Sequence, residues 1–254
     1  MTTAPREFDV DDAVYGVTES AEMEAIVAEL DAMTRRTYGQ YCGIARSMEV
    51  LGERWAPLIV RDLLVSPKGF SDLRRGLPRI PVDVLSARLR ELEHTGVIRA
   101  VHAPDGDATD VYELTDYGLE LEEILVRLGR WGARLLGRPL PEDIFTESAL
   151  IMSLRSTFRP ELARRLHVGF ELRVLDFVGY ARVDNGALAT GVGPLPNADL
   201  VIETGYAIKD LMTGELSAAA AIADGAVRVT GDPKLLGKFT ELFRNPSTPT
   251  AHAA

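Results

Sequence analysis

The strongest constraint on this chain is the spacing of prolines and apolar residues between Trp55 and Leu114. Trp55, Leu58, Ile59, Leu63 and Leu64 recur at three- and four-residue steps, one face of a helix. Ser66-Pro67 ends that helix, because proline lacks an N–H and the residue before it avoids the α region. Phe70, Leu73 and Leu77 mark a short second helix, stopped at Pro78. Pro81 suits the first turn of a longer third helix, about Pro81 to His94, with Leu85, Leu89 and Leu92 along its apolar side. Its other side carries Asp83, Ser86, Ala87, Arg90 and His94, and Arg88 flanks the apolar stripe. Gly96 gives the stop. Val97–Ala103 and Asp110–Leu114 alternate as two strands around the turn residues Pro104-Asp105-Gly106-Asp107.

Three helices followed by a two-stranded ribbon spell a winged helix-turn-helix, an arrangement that lays its third helix in a DNA major groove. On that reading Asp83, Ser86, Ala87 and Arg90 face the groove, while Lys68, Arg74, Arg75, Arg79 and Arg88 lie near phosphates. Arginine suits both tasks, since its fork pairs with guanine or clamps a phosphate. The competing reading is that Arg88 or Arg90 pairs with Glu91, Glu93 or Asp62 and only holds the fold. Formal net charge is −10, the wrong sign for a nucleic-acid binder. Its distribution resolves the conflict: Lys68 to Arg99 holds seven basic residues against four acidic ones, a local net of +3 on an acidic body.

Elsewhere the chain organises around this unit. Residues 1–17 are polar and expected to be disordered. From Glu19 to Arg36, Met23, Ile26, Val27, Leu30 and Met33 form an amphipathic stripe that needs a partner, either a dimer mate or the C-terminal part. Ile44, Met48 and Leu51 start another helix, ended by Gly52. Thr115 can cap a helix whose stripe is Leu121, Ile124, Leu125, Leu128, Trp131 and Leu135. Gly137 to Pro141 reads as a linker. Beyond it come a helix (Thr146–Phe158), strands (Val168–Val174, Phe177–Val183, Ala187–Val192, Leu200–Glu203), two short helices (Tyr206–Met212, Ser217–Ala223), a last strand (Ala226–Thr230) and a final helix opened by Asp232-Pro233. Asp184-Asn185-Gly186 is a hairpin signal. The expected fold class is therefore α+β with two domains: residues 18–138 a winged helix-turn-helix with its dimerisation helices, residues 144–245 a sheet-and-helix domain, residues 246–254 an unstructured tail.

Residues 41–135 resemble the HxlR family of bacterial winged-helix regulators. The resemblance rests on Cys42-Gly43-Ile44-Ala45-Arg46, Leu51-Gly52-Glu53-Arg54-Trp55, Phe70-Ser71-Asp72-Leu73-Arg74, Leu85 through Glu93, Gly96-Val97-Ile98, and Tyr112 through Gly118. It implies a homodimer held by its terminal helices, here Met23–Met33 and Leu121–Leu135, on a pseudo-palindromic double-stranded operator. It also implies that Cys42 is a thiol of the kind that senses oxidants or electrophiles. A buried, inert cysteine is the plainer alternative. Two departures stand out: Asp83 occupies a position often basic in the family, and the wing tip (Asp105, Asp107, Asp110) is acidic. Residues 146–245 are similar to the sterol carrier protein type two family, through Ala198–Thr204, Leu211–Ser217 and Ala220–Pro233. That likeness implies an apolar tunnel between sheet and helices. Phe158, Phe170, Leu172, Phe177, Tyr180, Leu211 and Met212 are then the candidate liners for an apolar small-molecule effector, or equally the core such a domain needs.

No cofactor, metal or catalytic constellation is expected. The four histidines are scattered, and Ser66, Ser86 and Ser153 lack a nucleophile elbow. A lone cysteine excludes an internal disulfide, no apolar run reaches membrane-span length, and the first residues lack an apolar signal segment. These absences point to a cytoplasmic protein with no membrane role. The expected function is sequence-specific transcription regulation, most simply repression, with an effector in the C-terminal domain. The alternative is a hydrophobic-ligand carrier or scaffold whose helix-turn-helix no longer binds DNA.

Overall fold

The computed structural model describes residues 37–102, 110–137, 139–140 and 142–245. The chain packs as two compact units, Met1–Gly52 and Glu53–Ala254. This differs from the expected domain plan in two ways. The division falls inside the segment 18–138, after Gly52, and the linker near residue 140 joins two parts of a single unit. The stripe Met23–Met33, residues 103–109 of the wing (with Asp105 and Asp107) and both terminal segments lie outside the described residues.

In the first unit, α1 (Gly43–Leu51) follows residues 37–42, which form no regular element and turn at Gly39, where φ is positive. That stretch is clasped by Glu49: its carboxylate accepts from the Thr37 hydroxyl (2.9 Å), the Tyr38 amide (3.0 Å) and the Arg46 guanidinium (2.7 Å). These donors hold the Glu49 carboxyl down at about 2, with Arg46 the largest cause.

The second unit begins with the winged helix. Helix α2 (Ala56–Val65) has proline in its first turn and buries Ile59, Val60, Leu63 and Leu64. It ends at Ser66, whose extended backbone is what a following proline demands. Strand β1 (Lys68–Gly69) leads into α3 (Phe70–Gly76), then α4 (Val82–His94), and the ribbon β2 (Ile98–His102) and β3 (Asp110–Leu114). β1 pairs antiparallel with β3, so the wing is three-stranded, in the order β1-β3-β2. Two residues are too few to leave a period in sequence, which is why β1 went unread.

Thr115 fastens the wing to the next helix. Its Oγ1 accepts from the Gly118 amide (3.1 Å) and donates to the Gly96 carbonyl (2.6 Å). The expected single helix after Thr115 is two helices and a tail: α5 (Asp116–Leu119), α6 (Leu121–Gly132) and a 3-10 turn (Ala133–Leu135).

Helix α7 (Glu147–Thr157), capped by Thr146, packs on both α2 and α6 and on the sheet beyond. The sheet contains β4 (His167–Val174), β5 (Phe177–Asp184), β6 (Ala187–Val192), β7 (Leu200–Thr204) and β8 (Val227–Gly231). Its order is β6-β5-β4-β7-β8, with β4 and β7 parallel and the other neighbours antiparallel. The β5–β6 turn is the expected hairpin: Asn185 and Gly186 both have positive φ, as a two-residue type I′ turn requires. Helices α8 (Ala207–Thr213), α9 (Ala218–Ala223) and α10 (Lys234–Leu242) join α7 on one face. There Phe170, Phe239 and Phe243, all fully buried, form a tilted and edge-to-face cluster with centroids 4.8 to 6.2 Å apart.

Where the wing meets α5, Gly118 lies against the Val97 backbone, and any Cβ there would collide with the Val97 carbonyl oxygen. Gly118→Ala is expected to lower stability by about 1–3 kcal/mol. Gly132→Ala, where nothing lies within 4 Å, should be neutral or stabilise. Urea midpoints of the two variants against wild type check the contrast.

Candidate nucleic-acid interface

Helix α4 is oriented by what it buries. Leu85, Leu89 and Leu92 are at most 2% exposed, and this fixes the opposite side outward. Asp83 and Arg90 lie exposed on that side, with Ser86 and Ala87 half-buried between them. Neither Asp83 nor Arg90 has an ion-pair partner among the described residues. Asp83 sits in the first turn, where a carboxylate complements the helix dipole. The Ser86 hydroxyl donates back to the Val82 carbonyl (3.0 Å), which leaves its oxygen as an acceptor toward the outside.

The remaining basic candidates differ in how free they are. Arg74 is exposed and has no ion-pair partner among the described residues. Arg75 pairs with Asp72 one turn away (2.9 Å), an exposed pair worth little in water. Lys68 is half-buried on β1, with Nζ 3.3 Å from the Ser66 hydroxyl. Arg79 donates to the Glu142 carbonyl (2.5 Å), a contact reaching across 63 residues to the segment before α7. Arg88 turns inward: its side chain is 21% exposed, pairs with Glu91 and lies 3.8 Å from Glu53. That geometry matches the fold-holding alternative, not a phosphate contact. Asp62 is likewise engaged within the core, by Arg61 at 2.7 Å.

Arg54 was missed in the sequence. It is exposed and stacks over Trp55 at 5.3 Å. The Arg-Trp dipeptide at the start of α2 was a readable signal for it.

The residues expected to line an apolar tunnel lie in a closed interior. Phe170, Leu172 and Leu211 are fully buried, Met212 is 3% exposed, and Phe158 and Phe177 pack against them. Tyr180 is on the other face of the sheet. It stands three residues from Phe177 along β5, an odd step that reverses side, and its ring lies over Gly191. On that second face Glu171, 4% exposed, accepts from the Leu195 amide (2.9 Å) and from Arg173 (2.8 Å).

Cys42 is exposed, at the start of α1. The Ala45 and Ile44 amides of the first helical turn lower its pKa, although the sulfur closes no capping hydrogen bond.

A family model described as "HxlR-like helix-turn-helix" matches residues 50–139. The HTH-type transcriptional regulator YvaP of Bacillus subtilis (strain 168) is 37% identical over 86 residues, which cover 34% of this chain and 80% of YvaP. The regulator YtcD of the same organism is 37% identical over 95 residues, covering 37% of this chain and 75% of YtcD. A crystal structure of a ytcD regulator covers 37% of this chain and 96% of its own at 36% identity, with a TM-score of 0.35.

With its pKa lowered, the Cys42 thiol holds more thiolate at neutral pH than an ordinary cysteine. Its alkylation by iodoacetamide is therefore expected to reach half-maximal rate at a lower pH than that of free cysteine. Mass spectrometry of the modified peptide over a pH series reads this, and a midpoint at or above the free value would contradict it.

Proposed function

This chain belongs to the HxlR-like helix-turn-helix family, and from that premise we propose that it is a sequence-specific DNA-binding regulator, a homodimer that represses by occupying promoter DNA. One observation carries the reading: α4 is anchored by three buried leucines while Asp83 and Arg90 stand outward without ion-pair partners among the described residues. Arg90 reads a base, Arg74 and Arg79 meet phosphates, and Asp83 accepts from a cytosine amino group. Engaging DNA requires Arg79 to exchange the Glu142 carbonyl for a phosphate, a gain in charge pairing.

Support for the dimer comes from α6 and the turn after it. Ile124, Leu128, Trp131 and Leu135 are 55%, 51%, 59% and 69% exposed at helical spacing. An apolar stripe of that size on a helix needs a cover, and a second copy supplies one of matching shape. Two α4 helices about 34 Å apart then meet successive turns of one duplex face.

The sheet region is assigned as a sterol-carrier-like module, supported by a five-stranded sheet with its helices on one face. Cys42, exposed with a lowered pKa, is assigned as a thiol that reacts with oxidants or electrophiles. A second reading, a carrier or scaffold that leaves DNA alone, is favoured by Asp83 and by the Arg79–Glu142 contact.

Selection of bound sequences from random duplexes with the full chain, followed by anisotropy titrations between about 50 and 200 mM salt, separates the two readings. Arg90→Ala is expected to cost about 1–3 kcal/mol on the selected site and relax its specificity. Arg74→Ala should weaken all sequences alike and reduce the salt slope by about 1. Failure to enrich any sequence would overturn the regulator reading. Leu128→Glu, on the exposed stripe, is expected to give monomers in sedimentation and lose about a hundredfold or more in site affinity. A dimer unchanged by that variant would remove α6 from the interface.

A further inference from the structure

The turn between α3 and α4 carries a side chain that a distant part of the chain already holds. Leu77 and Ile80 are 3% and 6% exposed, and the Ile80 amide donates to the Leu77 carbonyl (2.9 Å), so the backbone between them is fixed. Arg79 stands out from that turn, exposed, two residues ahead of Pro81, the cap of α4. A phosphate is drawn to a helix N-terminus, and Arg79 is the cation nearest in the chain to that of α4.

Its partner lies in the segment before α7. The Glu142 carbonyl accepts from Arg79 Nη2 (2.5 Å). Contacts on either side keep Glu142 in place. Asp143 closes a tight turn: its amide donates to the Leu140 carbonyl (2.9 Å), and its carboxylate accepts from the Leu140 amide (2.8 Å). Phe145 packs on the sheet region, its ring centroid 6.2 Å from that of Phe177 and 6.5 Å from that of Tyr206. The Glu142 carboxylate is exposed and has no ion-pair partner among the described residues. One contact thus takes a cation from the DNA-facing elements and sets a residue with an unpaired negative charge against them. Both changes oppose a phosphate.

We propose that Glu142 and Asp143 form an autoinhibitory latch: in place they keep Arg79 from DNA, and on release they return it to the duplex. The latch deepens the regulator reading and rests on it. It is built to be weak. Arg79 and Glu142 are both exposed, so water replaces either partner. Leu140 and Ile144, 57% and 54% exposed, bury little apolar surface that release would give up. A phosphate, with its full charge, is a stronger acceptor than a neutral carbonyl. The latch therefore lowers affinity by a modest factor and does not block binding. Phe145 anchors it to the sheet region, which thereby gains a hold on the DNA-facing elements.

The test is a double-mutant cycle in the full chain, read by anisotropy on the selected duplex. Asp143→Ala opens the turn that presents the Glu142 carbonyl, and it is expected to tighten binding about three- to tenfold with an unchanged melting temperature. Asp143→Asn keeps an acceptor for the Leu140 amide and should tighten it less than about twofold. In an Arg79→Ala background, Asp143→Ala should change affinity by less than about 1.5-fold. An equal gain from Asp143→Asn, or the full gain persisting without Arg79, is surface charge alone and overturns the latch, as does no gain at all. A second readout needs no DNA: Arg79→Ala should speed hydrogen exchange at residues 142–145 by about threefold or more. Unchanged exchange means that Arg79 does not hold the segment, which overturns the latch and leaves the regulator reading intact. If exchange responds but no duplex is selected, the regulator reading fails and takes the autoinhibitory role with it.

Discussion

The guanidinium of Arg155 is the interaction on which the arrangement of the larger unit depends. It sits on α7 with its side chain 19% exposed and donates to three elements at once: the Leu64 carbonyl of α2, the Glu122 carboxylate of α6 and the Thr190 hydroxyl of β6. A charge withdrawn from water is tolerated only when its donors are satisfied, so each bond is held by the cost of leaving it unmade. The choice of Leu64 has a further logic. The last carbonyls of a helix have no partner within it and carry the negative end of its dipole. Arg155 therefore caps α2 from another part of the fold. Nearby, α6 and α7 face each other at Gly129 and Ser156: a Cβ added at Gly129 would meet the Ser156 Cβ at 3.6 Å, an ordinary van der Waals contact, so the helix faces have room there for no more than a small side chain. Together these contacts make the winged helix and the sheet one body.

An acidic body that reads DNA needs its positive charge in one place and free. The local net of +3 overstates what is available, because several of those cations are already engaged. Arg88 serves Glu91, Arg99 pairs with Glu113 across the wing at 2.6 Å, and Arg75 pairs with Asp72. Of the cations between Lys68 and Arg99, Arg74 and Arg90 are exposed without an ion-pair partner among the described residues. On the proposed reading, those two and Arg79 are the ones a duplex would meet there. The remaining acidic surface keeps the protein off other polyanions.

Much of this was legible in the residues. Leucines at helical steps between prolines fixed α2 to α4, Thr115 announced the cap that it forms, and Asn185-Gly186 announced the tight turn between β5 and β6. Other features were readable but not read: the odd step from Phe177 to Tyr180 already placed those two rings on opposite faces. Some were not readable at all. Strand β1 is too short to show a period, and Arg155 looks like any polar position of a helix until its partners, 33, 35 and 91 residues away, are in place. Whether Phe170 and Leu172 line a tunnel or fill a core cannot be read from their identities, since both uses want the same side chains. The structure adds what surrounds them: both are fully buried, and the Phe170 ring lies 5.4 Å from Phe239 and 6.2 Å from Phe243.

That filled core also bears on how a signal could travel. Interiors packed at this density resist insertion: extra volume forces off-rotamer side chains and backbone shifts. A molecule seated among Phe170, Phe239 and Phe243 would have to separate rings only 4.8 to 6.2 Å apart between centroids, and so push the sheet from its helices. The joint is different in kind. Arg155 is 19% exposed and finds a charged acceptor in Glu122, while Leu64 and Thr190 offer it only neutral ones. A charge-assisted bond is the stronger kind, and losing it would leave a largely buried guanidinium without a counter-charge. The Arg155–Glu122 pair is therefore what ties α6 to α7, and the aromatic core is the packed body behind it.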